Sequence, residues 1–221
     1  MVNPHQTKAF SKSLLLRTKN DKVDSRMLAQ YCWERKPKAT PPISEKIKKL
    51  RNLVRLQESE IKKRTEEKNR LHAACDEYVR EMIRENIEFI DNQIKSIEKK
   101  IMEVINSDDK LGNDFNLLLT VPCIGEKVAW IILSEYYYVD PSEIRPKSCV
   151  AHAGLSPKAH DSADRPYGKA HISRIGVSRI RSNLYMPSLN CICHENYFSE
   201  FYNRLVNKGK AKKLAITAVS R

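Results

Sequence analysis

Two carboxylates three residues apart, Asp21 and Asp24, and a serine in a cation-rich stretch, Ser162, are the side chains of this chain best suited to chemistry. Residues 20–35 read as a helix with Asn20 or Asp21 near its N-terminus. At 100° per residue, Val23, Met27, Leu28 and Tyr31 share one apolar face, with Asp24 inside it and Asp21 at its edge. A carboxylate on a buried face is costly unless it is paired or bound to a cation. Asp21 and Asp24 are therefore a candidate Mg²⁺ half-site. The competing reading is structural: Asp21 caps the helix and Asp24 pairs with an arginine.

Ser162 lies in a segment, 156–176, that carries Lys158, His160, Arg165, Lys169, His171 and Arg174. A serine attacking a phosphodiester needs cations to stabilise the phosphorane and a group to take its proton. Arg165, Lys169, His171 and Arg174 supply the first, and Asp161 or His160 the second. Against this stands the commoner case, in which a loop serine is merely solvated. No helical or strand periodicity is legible over 156–176.

A third feature is Val121-Pro122-Cys123-Ile124-Gly125 between two apolar helical runs. In a helix-hairpin-helix, such a turn exposes backbone N–H groups at a helix N-terminus, which grip phosphate without reading sequence. Ile124, Gly125 and Lys127 are the candidate nucleic-acid contacts there, with Arg165, Lys169 and Arg174 in the serine stretch. Cys123 stands where such turns usually carry glycine, which hinders close backbone approach. The alternative is an ordinary corner between two helices.

The 221 residues have a formal net charge of +13 and 41% hydrophobic content. That supports a real core and excludes a disordered tail. The basicity points to nucleic acid before an anionic membrane surface. No apolar run approaches the ~18 residues of a membrane span. The six cysteines form no C-x-x-C pair and no signal peptide is present, so reduced thiols in a cytoplasm are expected. Cys191-Ile192-Cys193-His194 is a poor metal site, because alternate helix positions point apart.

These residues must be held by helices. Val2-Asn3-Pro4 reads as an extended entry, Thr7–Leu16 as a weak helix and Lys36–Pro42 as a linker. Ser44–Ala74 is a charged helix with Ile47, Leu50, Val54 and Ile61 on one side. Over Asp76–Asn106, Ile87, Ile90, Ile94, Ile97, Ile101 and Val104 form an a/d seam. The pair implies either an antiparallel helical hairpin or an intermolecular coiled coil. Ser107–Asn113 reads as a turn, and Lys147–Ala153 as a short helix ending near Gly154. One helix covers 177–203, kinked at Pro187, with Ile180, Leu184, Leu189, Ile192 and Phe201 as apolar markers. A basic turn then starts a last helix with Leu214, Ala215, Ala218 and Val219 on one face.

Taken together, the motifs resemble the insertion-sequence transposases related to the pilin-gene inversion recombinase. Thr18 to Ala29 is similar to that family's Thr-Asp-x-x-Asp-Ala-x-x-Leu-Ala segment, Val121–Gly125 to its hairpin, and Ala153-Gly154-Leu155, Asp161-Ser162 and Ile172–Gly176 to its C-terminal block. Phe201-Tyr202 to Lys213 resembles its basic tail. The resemblance implies a mainly α chain in three parts. These are the C-terminal remnant of an α/β RuvC-like domain with an acidic Asp-Glu-Asp-Asp set (1–40), a long antiparallel coiled-coil arm (43–106), and a helical transposase domain with helix-hairpin-helix and serine loop (114–221). It also implies Asp21 and Asp24 as the third and fourth acids, Mg²⁺ as cofactor, Ser162 as nucleophile, DNA and a bridge (guide) RNA as partners, and a homo-oligomer built through the coiled coil. The first Asp and the Glu of the set fall upstream of the matching segment, and the last helix stops without a cap, so a copy truncated at both ends is expected. Ala163 replaces a usual glycine, and Pro187 interrupts a usually unbroken helix. The expected function is DNA transposition or site-specific recombination. The rivals are a non-catalytic DNA- or RNA-binding remnant with a coiled-coil arm, and a coiled-coil scaffold whose basicity is incidental.

Overall fold

The computed structural model describes residues 2, 4–15, 20–37, 42–137, 145–158 and 171–221. The chain divides into two compact units, Met1–Pro42 and Ile43–Arg221.

The first unit holds α1 (Pro4–Ser13) and α2 (Asp21–Arg35). Pro4 opens a helix instead of closing an extended entry; proline suits the first turn because its missing N–H has no partner there anyway. Phe10, Met27 and Tyr31 form a small core, with the Phe10 and Tyr31 rings edge to face at 5.3 Å. The Tyr31 hydroxyl donates to Gln6 Oε1 at 3.0 Å. The apolar face expected on α2 is narrower than its sequence: Val23 is half-buried and Leu28 is exposed. So small a unit has too little partner surface to cover a whole stripe.

The second unit is built on a helical hairpin, α3 (Glu45–Ala73) and α4 (Glu77–Asn106), joined over residues 74–76. Ser44 and Asp76 cap the two helices by accepting from Ile47 N and Val79 N. The helices run antiparallel: Gln57 meets Glu98, and further along Arg64 meets Asp91. Ile97, Ile101 and Val104 of the seam pack in one core with Leu50 and Val54, Ile90 and Ile94 are buried further along α4, and Ile61 and Ile87 are half-buried. Each such side chain contributes about 1.5–3 kcal/mol on full burial.

The next helices are α5 (Asp109–Leu119) and α6 (Glu126–Tyr136). The turn expected over Ser107–Asn113 is thus mostly helix. Asp108 accepts from Lys110 N and Leu111 N and caps α5, and burial of Leu111 and Phe115 outweighs the cost of Gly112 inside it. Trp130, Ala129, Ile131 and Leu133 of α6 join the α3–α4 core.

Beyond lie α7 (Pro146–His152), the two-residue strands β1 (Pro157–Lys158) and β2 (His171–Ile172), α8 (Ser178–Cys191), α9 (Tyr197–Asn207) and α10 (Lys212–Val219). The strands pair antiparallel, Pro157 with Ile172 and Lys158 with His171. The single helix expected over 177–203 is two. Asn196 takes Phe198 N and Ser199 N on its side-chain oxygen to start α9, while its Nδ2 donates to Cys191 O at the end of α8. Pro187 lies inside α8. In α10 it is Ala215 and Ile216 that are buried, and Leu214, expected on the inner face, is exposed. No helix among the described residues is long and apolar enough to cross a membrane.

Candidate functional site

Asp21 and Asp24 sit in the first turn of α2, where carboxylates complement the helix dipole. The cap is Asn20, whose Oδ1 accepts from Val23 N at 2.8 Å, so neither aspartate is spent on capping. Asp21 is exposed and Asp24 half-buried, and neither forms an ion pair with a described residue. The structural alternative therefore loses its arginine. The metal reading gains no third ligand either: among the described residues no group of three or more His, Cys, Asp or Glu gathers to hold an ion. Two carboxylates supply only part of the near-octahedral shell of Mg²⁺, and water or other ligands must complete it.

The hairpin between α5 and α6 is a tight turn in which Ile124 N donates to Val121 O at 3.1 Å. Cys123 adopts φ 65°, the left-handed region that favours glycine. The backbone thus makes the glycine-type turn even though the side chain is a cysteine. Gly125 is the N-cap of α6, exposed, with no side-chain cap and nothing within 4 Å of where a Cβ would stand. The first N–H groups of α6 have no side-chain cap there. Ile124 is half-buried against the main core, and its N–H is taken by the turn. Lys127 is exposed but pairs with Glu98 of α4 at 3.3 Å, so a phosphate there competes with a carboxylate. The Cys191 thiol donates to Pro122 O at 3.1 Å and ties α8 to this turn. Burial, then the neighbouring Cys123, pushes that thiol up to about 11.

His160, Asp161, Ser162, Arg165 and Lys169 lie outside the described residues. The frame on either side of them is described, and it is a tight clasp. Ser173 N donates to Ser156 O at 2.8 Å, Arg174 N to Gly154 O at 3.1 Å, and Val177 N to His152 O at 2.6 Å. Gly154 (φ 69°) and Gly176 (φ 150°) are where the two sides meet. A Cβ on Gly176 would stand 2.2 Å from His152 O and 2.6 Å from Gly154 N. One on Gly154 would meet Arg174 C at 3.1 Å. The paired strands bring Lys158 and His171, the described residues on either side of 159–170, next to each other. Arg174 is exposed at the clasp, itself at φ 55°, and His171 and Lys158 are exposed on the ladder.

Sequence reasoning missed a buried ionic centre beside the clasp. Glu135 of α6 is only 1% exposed, and its Oε2 receives Arg51 Nη2 at 2.8 Å. Arg55 approaches Oε1 at 3.4 Å and Arg179 of α8 at 4.0 Å. Arg179 also pairs with Glu58 at 2.6 Å. Burial holds the His152 imidazole below its ordinary value, with Glu135 partly opposing the shift. Glu135 therefore joins the helical hairpin, α6 and both sides of the clasp. Its one sequence signal is a lone carboxylate in the apolar run 128–136.

A basic, mainly helical chain with an acid pair in a small N-terminal unit, a long helical hairpin and a clasped loop has the parts of a nucleic-acid recombinase. Two family models match it: the transposase model DEDD_Tnp_IS110 over residues 1–80, and that of the IS116/IS110/IS902 family of transposases over residues 115–203. The pilin gene-inverting protein of Moraxella bovis is 32% identical over 224 aligned residues, covering all of this chain and 68% of the relative. The pilin gene-inverting protein of Moraxella lacunata matches to the same extent. The chain belongs to the IS116/IS110/IS902 family of transposases, DNA-recombining enzymes. The DEDD designation of the N-terminal match points to divalent-metal use in that domain in general.

Proposed function

We propose that this chain recombines DNA through a serine nucleophile, Ser162. The Ser162 oxygen attacks a backbone phosphorus, an Oγ–P bond forms, the P–O bond to the departing deoxyribose breaks, and the serine proton ends on the leaving oxygen. His160 or Asp161 carries that proton, and Arg165, Lys169, His171 and Arg174 balance charge on the phosphorane. The observation that supports this most is the clasp: two glycines and a strand pair hold the ends of the serine segment together beside exposed cations. Asp21 and Asp24 contribute two carboxylates to a Mg²⁺ site that needs further ligands, and no step above is routed through it. The uncapped start of α6 at Gly125, with Ile124 packed beneath it and Lys127 beside it, holds backbone phosphate. The DNA partner is accompanied by a guide RNA, and copies of the chain associate through the α3–α4 arm acting as a coiled coil. In this reading 1–40 is part of a RuvC-like domain, 43–106 the arm and 114–221 the transposase domain.

The test is a labelled duplex offered to wild type and Ser162→Ala with Mg²⁺, with covalent protein–DNA adduct as the readout. Adduct with wild type alone is expected; equal adduct from the variant removes the serine. A second reading, a non-catalytic nucleic-acid binder, is favoured by the lack of a third metal ligand among the described residues. It predicts salt-dependent binding by the wild type without adduct.

A further inference from the structure

The last twenty-one residues, Phe201–Arg221, contain four lysines and two arginines and no aspartate or glutamate. The lysines are concentrated in one place, Lys208, Lys210, Lys212 and Lys213, at the turn from α9 to α10. All four are exposed, and none forms an ion pair with a described residue. On the arm, Lys46, Lys63, Arg64, Arg70, Arg80 and Arg84 are matched by carboxylates, and its unmatched lysines, among them Lys49, Lys62, Lys99 and Lys100, are spread along two helices. Unpaired like charges packed into six residues repel one another, so the stretch is stabilised by an anionic partner.

The turn that carries them is built. Gly209 takes φ 78°, Gly209 N donates to Val206 O at 2.8 Å, and Lys210 N donates to Leu205 O at 3.1 Å. That is the Schellman pattern of a helix end, which fixes the chain's exit direction. No side chain caps α10 at Ala211, so its first N–H groups lie among the lysines without a side-chain partner. Ala215 and Ile216 are buried, and Ser220 Oγ donates to Ser188 Oγ of α8 at 2.8 Å, which anchors the helix behind the turn. Cationic side chains, free backbone donors and a positive helix end therefore converge on one fixed surface.

We infer that the Lys208–Lys213 turn is a binding surface for the phosphodiester backbone of duplex DNA, formed by residues other than those of the hairpin and the serine segment. It lies beyond residue 203, where the match to the transposase family model ends, within the stretch still aligned to the pilin gene-inverting proteins. The inference rests on the proposed DNA-recombining function for its choice of partner. Lysine ammonium groups act as point charges on phosphate and carry no base readout, so the surface holds DNA without choosing its sequence.

The experiment measures duplex binding as a function of salt for the full chain and for a variant with Lys208, Lys210, Lys212 and Lys213 each changed to Gln. These side chains are exposed and form no hydrogen bond or ion pair with a described residue, so the variant keeps its helical circular dichroism and melts no lower than wild type. Each phosphate contact contributes about 0.9 to the slope of log K against log salt, so loss of four contacts should make the slope shallower by about 3.6. A control changes four exposed arm lysines, Lys49, Lys62, Lys99 and Lys100, to Gln and so has the same net charge. An unchanged slope in the tail variant, or an equal loss in the control, overturns the inference. A loss seen with structured RNA and not with duplex DNA also overturns it. Wild type that binds duplex but yields no adduct leaves this surface standing and removes the serine chemistry; wild type that does not bind duplex removes both.

Discussion

Arg51 on the helical arm and Glu135 on α6 meet at 2.8 Å, eighty-four residues apart in sequence, and the carboxylate is almost wholly buried. The contact links two helices that also pack through apolar side chains and through Arg55, which approaches the same carboxylate. It also sits beside the clasp, because Arg179 approaches the same carboxylate. Breaking a buried pair leaves an uncompensated charge, which costs about 3–5 kcal/mol. Glu135→Gln is therefore expected to lower stability by about 3 kcal/mol. Chemical denaturation of Glu135→Gln, Arg51→Met and the double variant checks this. The double variant should be less unstable than the two single losses added together; simple additivity would show that the pair is not coupled.

Gly176 is expected to tolerate no side chain. Its φ of 150° is strained for any L residue, and a Cβ would stand 2.2 Å from His152 O. Gly176→Ala must push the two sides of the clasp apart. A loss of about 1–3 kcal/mol is expected from the backbone strain alone. Covalent adduct formation should fall further than stability does, because the clasp frames the Ser162 segment. Unchanged adduct yield in a folded Gly176→Ala protein would separate the clasp from the chemistry.

The pH dependence of stability should carry the mark of His152. Burial holds its folded value below the ordinary 6.5. The unfolded chain therefore takes up a proton from His152 before the folded chain does. Stability is fully present above about pH 6.5 and declines as pH falls from there towards the folded value. His152→Gln should flatten that decline in denaturant titrations between pH 8 and 5. Identical slopes for the two proteins would assign the decline to other groups.

The two long helices and the isoleucine seam were legible in the sequence because the spacing of Ile90, Ile94, Ile97 and Ile101 is a local signal, but the choice between a hairpin and an intermolecular coiled coil was not, since both bury the same seam. The helix at Asp109 was not, because Gly112 and Asn113 are turn formers; the Asp108 cap and the burial of Leu111 and Phe115 outweigh them. The strands beside the serine segment were hidden for another reason, since two residues cannot show a period. Within the candidate site, the motif glycines Gly154 and Gly176 were visible as residues, but their meeting is a tertiary fact. Glu135 stayed hidden because nothing near it in sequence says that its partners are arginines on α3 and α8.

Cys123 offers the clearest test of the hairpin. Its backbone occupies the left-handed region at φ 65°, where a residue with a Cβ is strained by about 1–2 kcal/mol and glycine is not. Glycine returns part of that gain through its greater freedom in the unfolded chain, about 0.5–1 kcal/mol. Removing the thiol also takes away a neighbour that helps push the Cys191 thiol up, while the Cys191 contact to Pro122 O remains. Cys123→Gly should therefore raise the unfolding free energy by up to about 1 kcal/mol, read as a higher denaturation midpoint. With no Cβ at the turn, phosphate can approach the N–H groups at the start of α6 more closely, so duplex affinity should hold or tighten. A clear drop in stability would mean that side-chain packing of Cys123 outweighs its backbone strain. Weaker duplex binding by a stable Cys123→Gly protein would mean that the hairpin does not meet phosphate through its backbone.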